Sequence, residues 1–235
     1  GLVVLDLFRF GWKFTPFTDS KFLFPKTETI KFLQNQPKPF RIMTTDNQIL
    51  PPNFSSFYKI EDISGYDPLY LRNYGELIAA WYRNKPDISP FSFNRALTPQ
   101  DYSSRIADLL NVKYVISLKD EVSSKLTLVF QEGQTRVYEN KNVLPRAFLV
   151  ENIKCVKNGQ EAIEEIFKKS FNPIKTAIVE NCGNLEKGKF LVISEVFYPT
   201  QKVKDHKVYK TNFALMGIFL LSGEKYESLD NYSQF

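Results

Sequence analysis

The chain has 235 residues, 43% of them hydrophobic and 24% charged, with 31 basic against 26 acidic side chains. That is enough for one large domain or two modest ones around a real core, and it excludes intrinsic disorder and collagen-like structure. A single histidine excludes a multi-His metal site, and the net charge of +5 sits on scattered lysines, not on the clustered stripe that a nucleic-acid surface needs.

In chain order, Leu2–Phe8 (LVVLDLF) is an apolar run that reads as a buried strand. Gly11–Ser20 is aromatic and broken by Thr and Pro, hence a loop. Thr27–Gln34 predicts a short helix and Phe40–Met43 a short strand, with Leu50–Asn53 (LPPN) turning the chain. Tyr58–Tyr70 (YKIEDISGYDPLY) is polar, aromatic and punctuated by Gly and Pro, which predicts a long specialised loop, followed by a helix over Asn73–Arg83. Thr98–Leu110 carries the clearest helix signal, with Thr98 as N-cap, Pro99 at the first position and Asp101 completing an approximate capping box. Val112–Leu118 then alternates as a strand.

Leu126–Phe130 and Thr135–Glu139 predict a hairpin around Glu132-Gly133. Ala147–Val150 leads a strand towards Val156, and Gln160–Lys169 predicts an amphipathic helix, acidic early and basic late as the helix dipole favours. Only strands follow: Thr176–Glu180, Lys189–Phe197, Lys207–Asn212 and Phe213–Leu221. The last is the longest apolar run, about half a membrane span, so the residues read as a soluble piece; the missing initiator Met suggests that it is cut from a larger chain. The fold class is α+β: a mixed α/β subdomain over 1–120, then a mostly antiparallel, sandwich-like subdomain over 121–235 with one helix near 160–169. The 21 Phe and 12 Tyr suit such sheets.

Cys155 and Cys182 have neither zinc-type nor redox spacing. Free buried thiols are the favoured reading; in an oxidising compartment the pair instead closes a loop of 27 residues, worth about 3 kcal/mol. His206, in the polar run KVKDHKV, reads as a solvated turn.

The candidate site is the Tyr58–Tyr70 loop, where Glu61, Asp62 and Asp67 accompany Tyr66 and Tyr70. Carboxylates accept hydroxyl hydrogen bonds and rings stack on a pyranose face, so this is sugar-binding chemistry; two carboxylates held apart also suit a glycosidase. The competing reading is local, since Asp67-Pro68 is a turn dipeptide and Asp62 can bond its own loop. Arg146, in LPRAF, either takes a phosphate or carboxylate bidentately or clips subdomains together. No phosphate loop, GxSxG or HExxH is present, and no cofactor is implied.

Several ordered segments resemble the C-terminal extracytoplasmic region of the bacterial YfhO-type membrane proteins, many-pass proteins of the GT-C glycosyltransferase type. They are LVVLDLFRFGWKFTPF (2–17), LPPN (50–53), IEDISGYDPLYLRNYGEL (60–77), ADLLNVKYVIS (107–117), RVYEN (136–140), LPRAFLV (144–150), FLVISEVFYP (190–199) and VYKTNFALMGIFLLSG (208–223). The resemblance implies a domain outside the cytoplasm, held at the cell membrane by the transmembrane part of its own parent chain. That parent moves sugar from a polyprenyl-phosphate donor to a cell-envelope polymer such as lipoteichoic acid. The ligands it implies are a lipid-linked sugar or an envelope glycopolymer, with contacts expected from Glu61, Asp62, Tyr66, Asp67, Tyr70 and Arg146. The transferase's catalytic acid belongs to the membrane half, so the fragment is not catalytic alone. The resemblance also makes Leu2–Phe8 a strand emerging from a membrane helix and returns the chain to the bilayer near 231–235. The family's Gly-Trp hairpin after Tyr198-Pro199 is shortened here to Thr200–His206, and Glu224–Asn231 lacks strand alternation. The alternatives are a non-catalytic scaffold and, last, an independent glycoside hydrolase.

Overall fold

The computed structural model describes residues 1–14, 19–89, 95–203, 206–221 and 223. Among these, alternating and β-branched runs assemble into two larger sheets and a small ribbon, with helices between and around them, an α+β fold. The first sheet contains β1 (Arg41–Thr44) and β2 (Glu61–Asp62); the ribbon pairs β3 (Gly65–Tyr66) with β4 (Ala96–Leu97). The first sheet is completed by β5 (Val112–Ser117), β6 (Leu126–Glu132) and β7 (Thr135–Asn140), in the order β2-β1-β5-β7-β6. β1 runs parallel to β2 and β5, whereas β7 is antiparallel to β5 and β6. The β6–β7 hairpin turns at Gly133, whose φ of +57° is a backbone state that glycine adopts without strain.

The second sheet is built from β8 (Ala147–Val150), β9 (Asn152–Val156), β10 (Thr176–Glu180), β11 (Phe190–Val196), β12 (Tyr209–Thr211) and β13 (Leu215–Phe219), ordered β8-β11-β13-β12-β10-β9. All its pairs are antiparallel except β9 with β10. Parallel neighbours need a crossover, here the helix Gly159–Phe167, capped by Asn158 accepting from the Glu161 N–H at 3.0 Å. The helix buries Ala162, Ile163 and Ile166.

One apolar cluster joins the sheets, running from Met43, Val115 and Tyr138 on the first to Phe148, Ile178 and Val192 on the second. The helices Arg72–Arg83 and Arg105–Leu109 contribute Leu77, Trp81, Ile106 and Leu109 to it. The other face of the first sheet is covered by the helix Glu28–Gln34 through Ile30 and Leu33, which pack in one cluster with Ile42, Tyr114 and Val137. A third cluster, including Leu191, Ile193, Met216 and Ile218, backs the second sheet.

Several sequence expectations are corrected. Leu2–Phe8 is not a buried strand but part of a helix, Leu2–Phe14, that makes its own backbone hydrogen bonds and needs no sheet edge. The helix expected from Thr98 begins only at Arg105, because Asp101 Oδ1 accepts from Ser103 N–H at 2.9 Å in a local turn and Ser104 becomes the cap. The boundary placed near residue 120 falls inside the first sheet, since β7 hydrogen-bonds to β5; the change of sheet lies between Asn140 and Ala147. Cys155 and Cys182 are bonded, not free: β9 and β10 pair Cys155 with Val179, which brings Cys182, just past the end of β10, to a Cα separation of 5.8 Å. His206 is buried, its Nδ1–H donating to the Phe219 carbonyl at 2.8 Å. Residues 15–18, part of the expected loop, 204–205 of the shortened hairpin and the readings at 224–235 lie outside the described residues.

Candidate functional site

The site lies where the two sheets meet, and both contributing strands are irregular there. β1 shifts register between Arg41 and Ile42, and β11 shifts between Ile193 and Val196. Bulges re-aim side chains. Here Ser194 Oγ donates to the Leu109 carbonyl at 2.8 Å and accepts from Arg41 at 3.1 Å.

Around the bulges sit two arginines and two glutamates. Arg146 holds Glu195 with one nitrogen and Glu61 with the other, each at 2.6 Å. Arg41 approaches Glu195 at 3.2 Å and Glu61 at 3.5 Å, and donates to the Leu110 carbonyl at 3.0 Å. Burial weighs against the Arg41 charge, as does the neighbouring Arg146, while Glu195 and Glu61 favour it. The formal charges of these four groups cancel. Such a network clips β1, β2, β8 and β11 together; removing one member strands the others in a half-buried setting.

Beside the clip opens a cleft of about 210 Å³. Asp62, Ser64, Asp67 and Tyr70 line it with Arg41 and Ser194, against an apolar wall that includes Leu97, Val196 and Leu215. Asp62 Oδ1 accepts the Ser64 N–H at 2.8 Å, but Oδ2 is buried with no hydrogen-bond partner, and so is Ser64 Oγ. Burial pushes the Asp62 carboxyl up to about 6, against the pull of the Ser64 N–H and of the nearby Ser64 and Ser55 hydroxyls. Tyr74 donates to the Ile63 carbonyl at 2.5 Å, and burial raises its phenol well above the ordinary range, so it stays neutral.

The predicted residues therefore divide. Asp62, Asp67 and Tyr70 share the cleft. Asp67 also uses Oδ1 to accept the Leu69 N–H at 2.7 Å, and the Tyr70 ring lies against Gly75. Glu61 and Arg146 belong to the clip, so of the two roles open to Arg146 the structure gives it the clipping one, through acids. Tyr66 does not line the cleft: it is 51% exposed, with its backbone held by the Asn53 side chain at 2.6 and 3.0 Å. Sequence reasoning misses Arg41, Ser64, Ser194 and Glu195. Ser194 interrupts the apolar run FLVI, and Arg41 stands beside apolar Phe40 and Ile42; polar groups inside buried strands are the available signal. Among the described residues no group of three or more His, Cys, Asp or Glu is placed to hold a metal ion.

A second exposed feature is the helix Leu2–Phe14. Leu2 is 86% exposed, Leu5 69% and Trp12 67%, and Val3, Val4, Leu7, Phe8 and Phe10 are similarly open. Asp6 and Arg9 share one stripe, and exposed apolar side chains cover the rest of its circumference, more than a helix facing water carries. Among the described residues no helix is long and apolar enough to cross a membrane. In comparison with known proteins, no family model matches the chain, and no curated protein or solved structure gives a significant match.

Proposed function

We propose that this chain is an extracytoplasmic accessory domain of a many-pass membrane glycosyltransferase that transfers sugar from a polyprenyl-phosphate donor to a cell-envelope polymer. The observation that carries the reading is the Leu2–Phe14 helix, whose wide apolar arc is open to solvent beside a narrow stripe holding Asp6 and Arg9. Eight exposed large hydrophobic side chains on one short helix call for an apolar medium, and Arg9 and Trp12 are residue types that anchor at a lipid interface. The Cys155–Cys182 bond fits an oxidising, extracytoplasmic setting. The segment resemblance supplies the transferase, and the carboxyl-lined cleft supplies a place for a hydroxylated ligand.

A second reading, a scaffold without ligand contacts, draws on Asp67 and Asp62, each of which accepts a neighbouring backbone N–H. One experiment separates them. Membranes carrying the full-length parent are given a radiolabelled polyprenyl-phosphate sugar, and transfer to envelope polymer is compared for wild type and Asp67→Asn. Transfer reduced in a variant that remains membrane-embedded and protease-resistant supports the accessory role. Unchanged transfer supports the scaffold, and no transfer by the wild type removes the transferase reading.

A further inference from the structure

We infer that the cleft between β2, the 62–70 loop and β11 is a binding site for one neutral sugar ring, whose hydroxyls are taken by Asp62 and Ser64 and whose apolar face lies along Tyr70. This deepens the proposed function and rests on it for the choice of a sugar among polyols. The geometry of the cleft selects the class of ligand.

Asp62 and Ser64 both line this small cleft, and each carries a buried oxygen, Oδ2 and Oγ, without a hydrogen-bond partner. Buried polar groups are nearly always hydrogen-bonded, because one left unpaired has lost its water and gained nothing in return. A ligand with adjacent hydroxyls satisfies both, because a hydroxyl donates to the carboxylate and accepts from the serine. The apolar wall around Leu97, Val196 and Leu215 faces the same space, which suits the C–H faces of a ring and not a fully polar ion.

Size and charge narrow the class further. At about 210 Å³ the cleft is below the roughly 300–1,000 Å³ of sites for drug-sized ligands, so it takes a single ring and not a chain. An anionic sugar finds no free cation, since Arg41 is shared between Glu61 and Glu195 and the carboxyl of Asp62 opposes it. A neutral pyranoside avoids that repulsion.

The groups that bear on Asp62 are Glu61 on its own strand, Arg41 on β1, Tyr74 from the helix Arg72–Arg83, Asp67 from the loop and Glu195 from β11. Asp62 is the one among them that burial brings to about 6, so its ionisation is the one that ligand binding follows there. Sugar hydroxyls donate more strongly to the carboxylate than to the neutral acid, so binding strengthens as pH rises through about 6.

The test uses the whole 235-residue chain in mild detergent, disulfide intact, titrated with methyl glucopyranoside, methyl galactopyranoside and methyl N-acetylglucosaminide and followed by amide shifts in NMR. Glucose 1-phosphate and glucosamine serve as charged probes. At least one neutral glycoside is expected to bind with a Kd of about millimolar, moving the amides of Ser64 and Gly65. Asp62→Asn is expected to weaken it about tenfold or more and to abolish the pH dependence, which in wild type is about threefold or more between pH 5 and 7.5. Ser64→Ala, a smaller change, is expected to weaken binding about threefold or more. No response to any neutral glycoside by a cooperatively melting chain overturns the inference. So does undiminished binding by Asp62→Asn, or preference for the phosphate or the amine. Sugar binding without transfer by the parent leaves this site standing and removes the transferase reading; transfer without sugar binding does the reverse.

Discussion

Replacing Asp62 by Asn makes a test of the cleft that needs no ligand. Asn keeps an oxygen for the Ser64 N–H, now at 2.8 Å, removes the charge and puts an amide NH2 where Oδ2 stands. The carboxyl titrates ordinarily at 3.8 and in the fold at about 6, burial being the largest cause. The folded state therefore holds this proton more tightly than the unfolded chain does. The acid is harmless to stability below about pH 4, and its destabilisation grows between there and about 6 and levels off above. A tenfold difference in proton affinity is worth about 1.4 kcal/mol, so the ionised carboxylate costs about 3 kcal/mol above pH 7. Asp62→Asn is expected to match wild type at pH 4 and to exceed it by about 3 kcal/mol at pH 7.5, or about 6–12 °C in Tm for a chain of this size. Urea unfolding at several pH values, under oxidising conditions, measures the difference directly. A variant less stable than wild type at pH 7.5, or a difference that is flat with pH, would refute the assignment of Asp62 as an unsatisfied buried acid. A gain would also mean that the native residue is kept at the expense of stability, as binding sites commonly are.

Opening the Cys155–Cys182 bond, by reductant or by Cys→Ala at both positions, should lower stability by about 3–4 kcal/mol for a separation of 27 residues; an unchanged melt in reductant would contradict this. Arg146→Ala leaves the partly exposed Glu61 and Glu195 with Arg41 alone and should cost about 1–3 kcal/mol, with Arg146→Lys recovering only part because a lysine cannot fork to two carboxylates. Full recovery by lysine in denaturant unfolding would reduce the clip to a simple charge. Gly217→Ala places a methyl against the Phe190 ring and Thr211 Oγ1 in the buried second sheet, and should cost about 1–3 kcal/mol by overpacking; a neutral effect in the same assay would show that β12 and β13 can spread.

The strands from β5 onward are legible because most of their side chains alternate or stay apolar over five or more residues, and the helix at Gly159–Phe167 because its apolar face repeats. The sheets themselves are less legible. β1 pairs with β5, far along the chain, and β2 has only two residues, so neither pairing leaves a local signature. Leu2–Phe8 reads as a strand because a short apolar run has too little periodicity to separate strand from helix, and in the fold it belongs to the helix Leu2–Phe14. The disulfide turns on a parallel pairing, β9 with β10, that the spacing of the cysteines does not encode.

The acidic-aromatic loop shows most clearly how local structure decides chemistry. Read as a loop, Glu61 and Asp62 are neighbours placed to work together, and a glycosidase needs such a pair. In the fold they are successive residues of a strand, so their side chains leave on opposite faces. Glu61 meets Arg146 at 2.6 Å and is bound into the clip, where it is no longer available as nucleophile or acid. Asp62 turns to the cleft, where the nearby Arg41 is already paired with Glu61 and Glu195, and burial raises its pKa. One residue of strand geometry thus divides an apparent catalytic pair into a structural anion and a single buried acid. What one buried acid beside a serine and a tyrosine ring can do is hold a hydroxylated ligand, which is the chemistry the proposed function calls on.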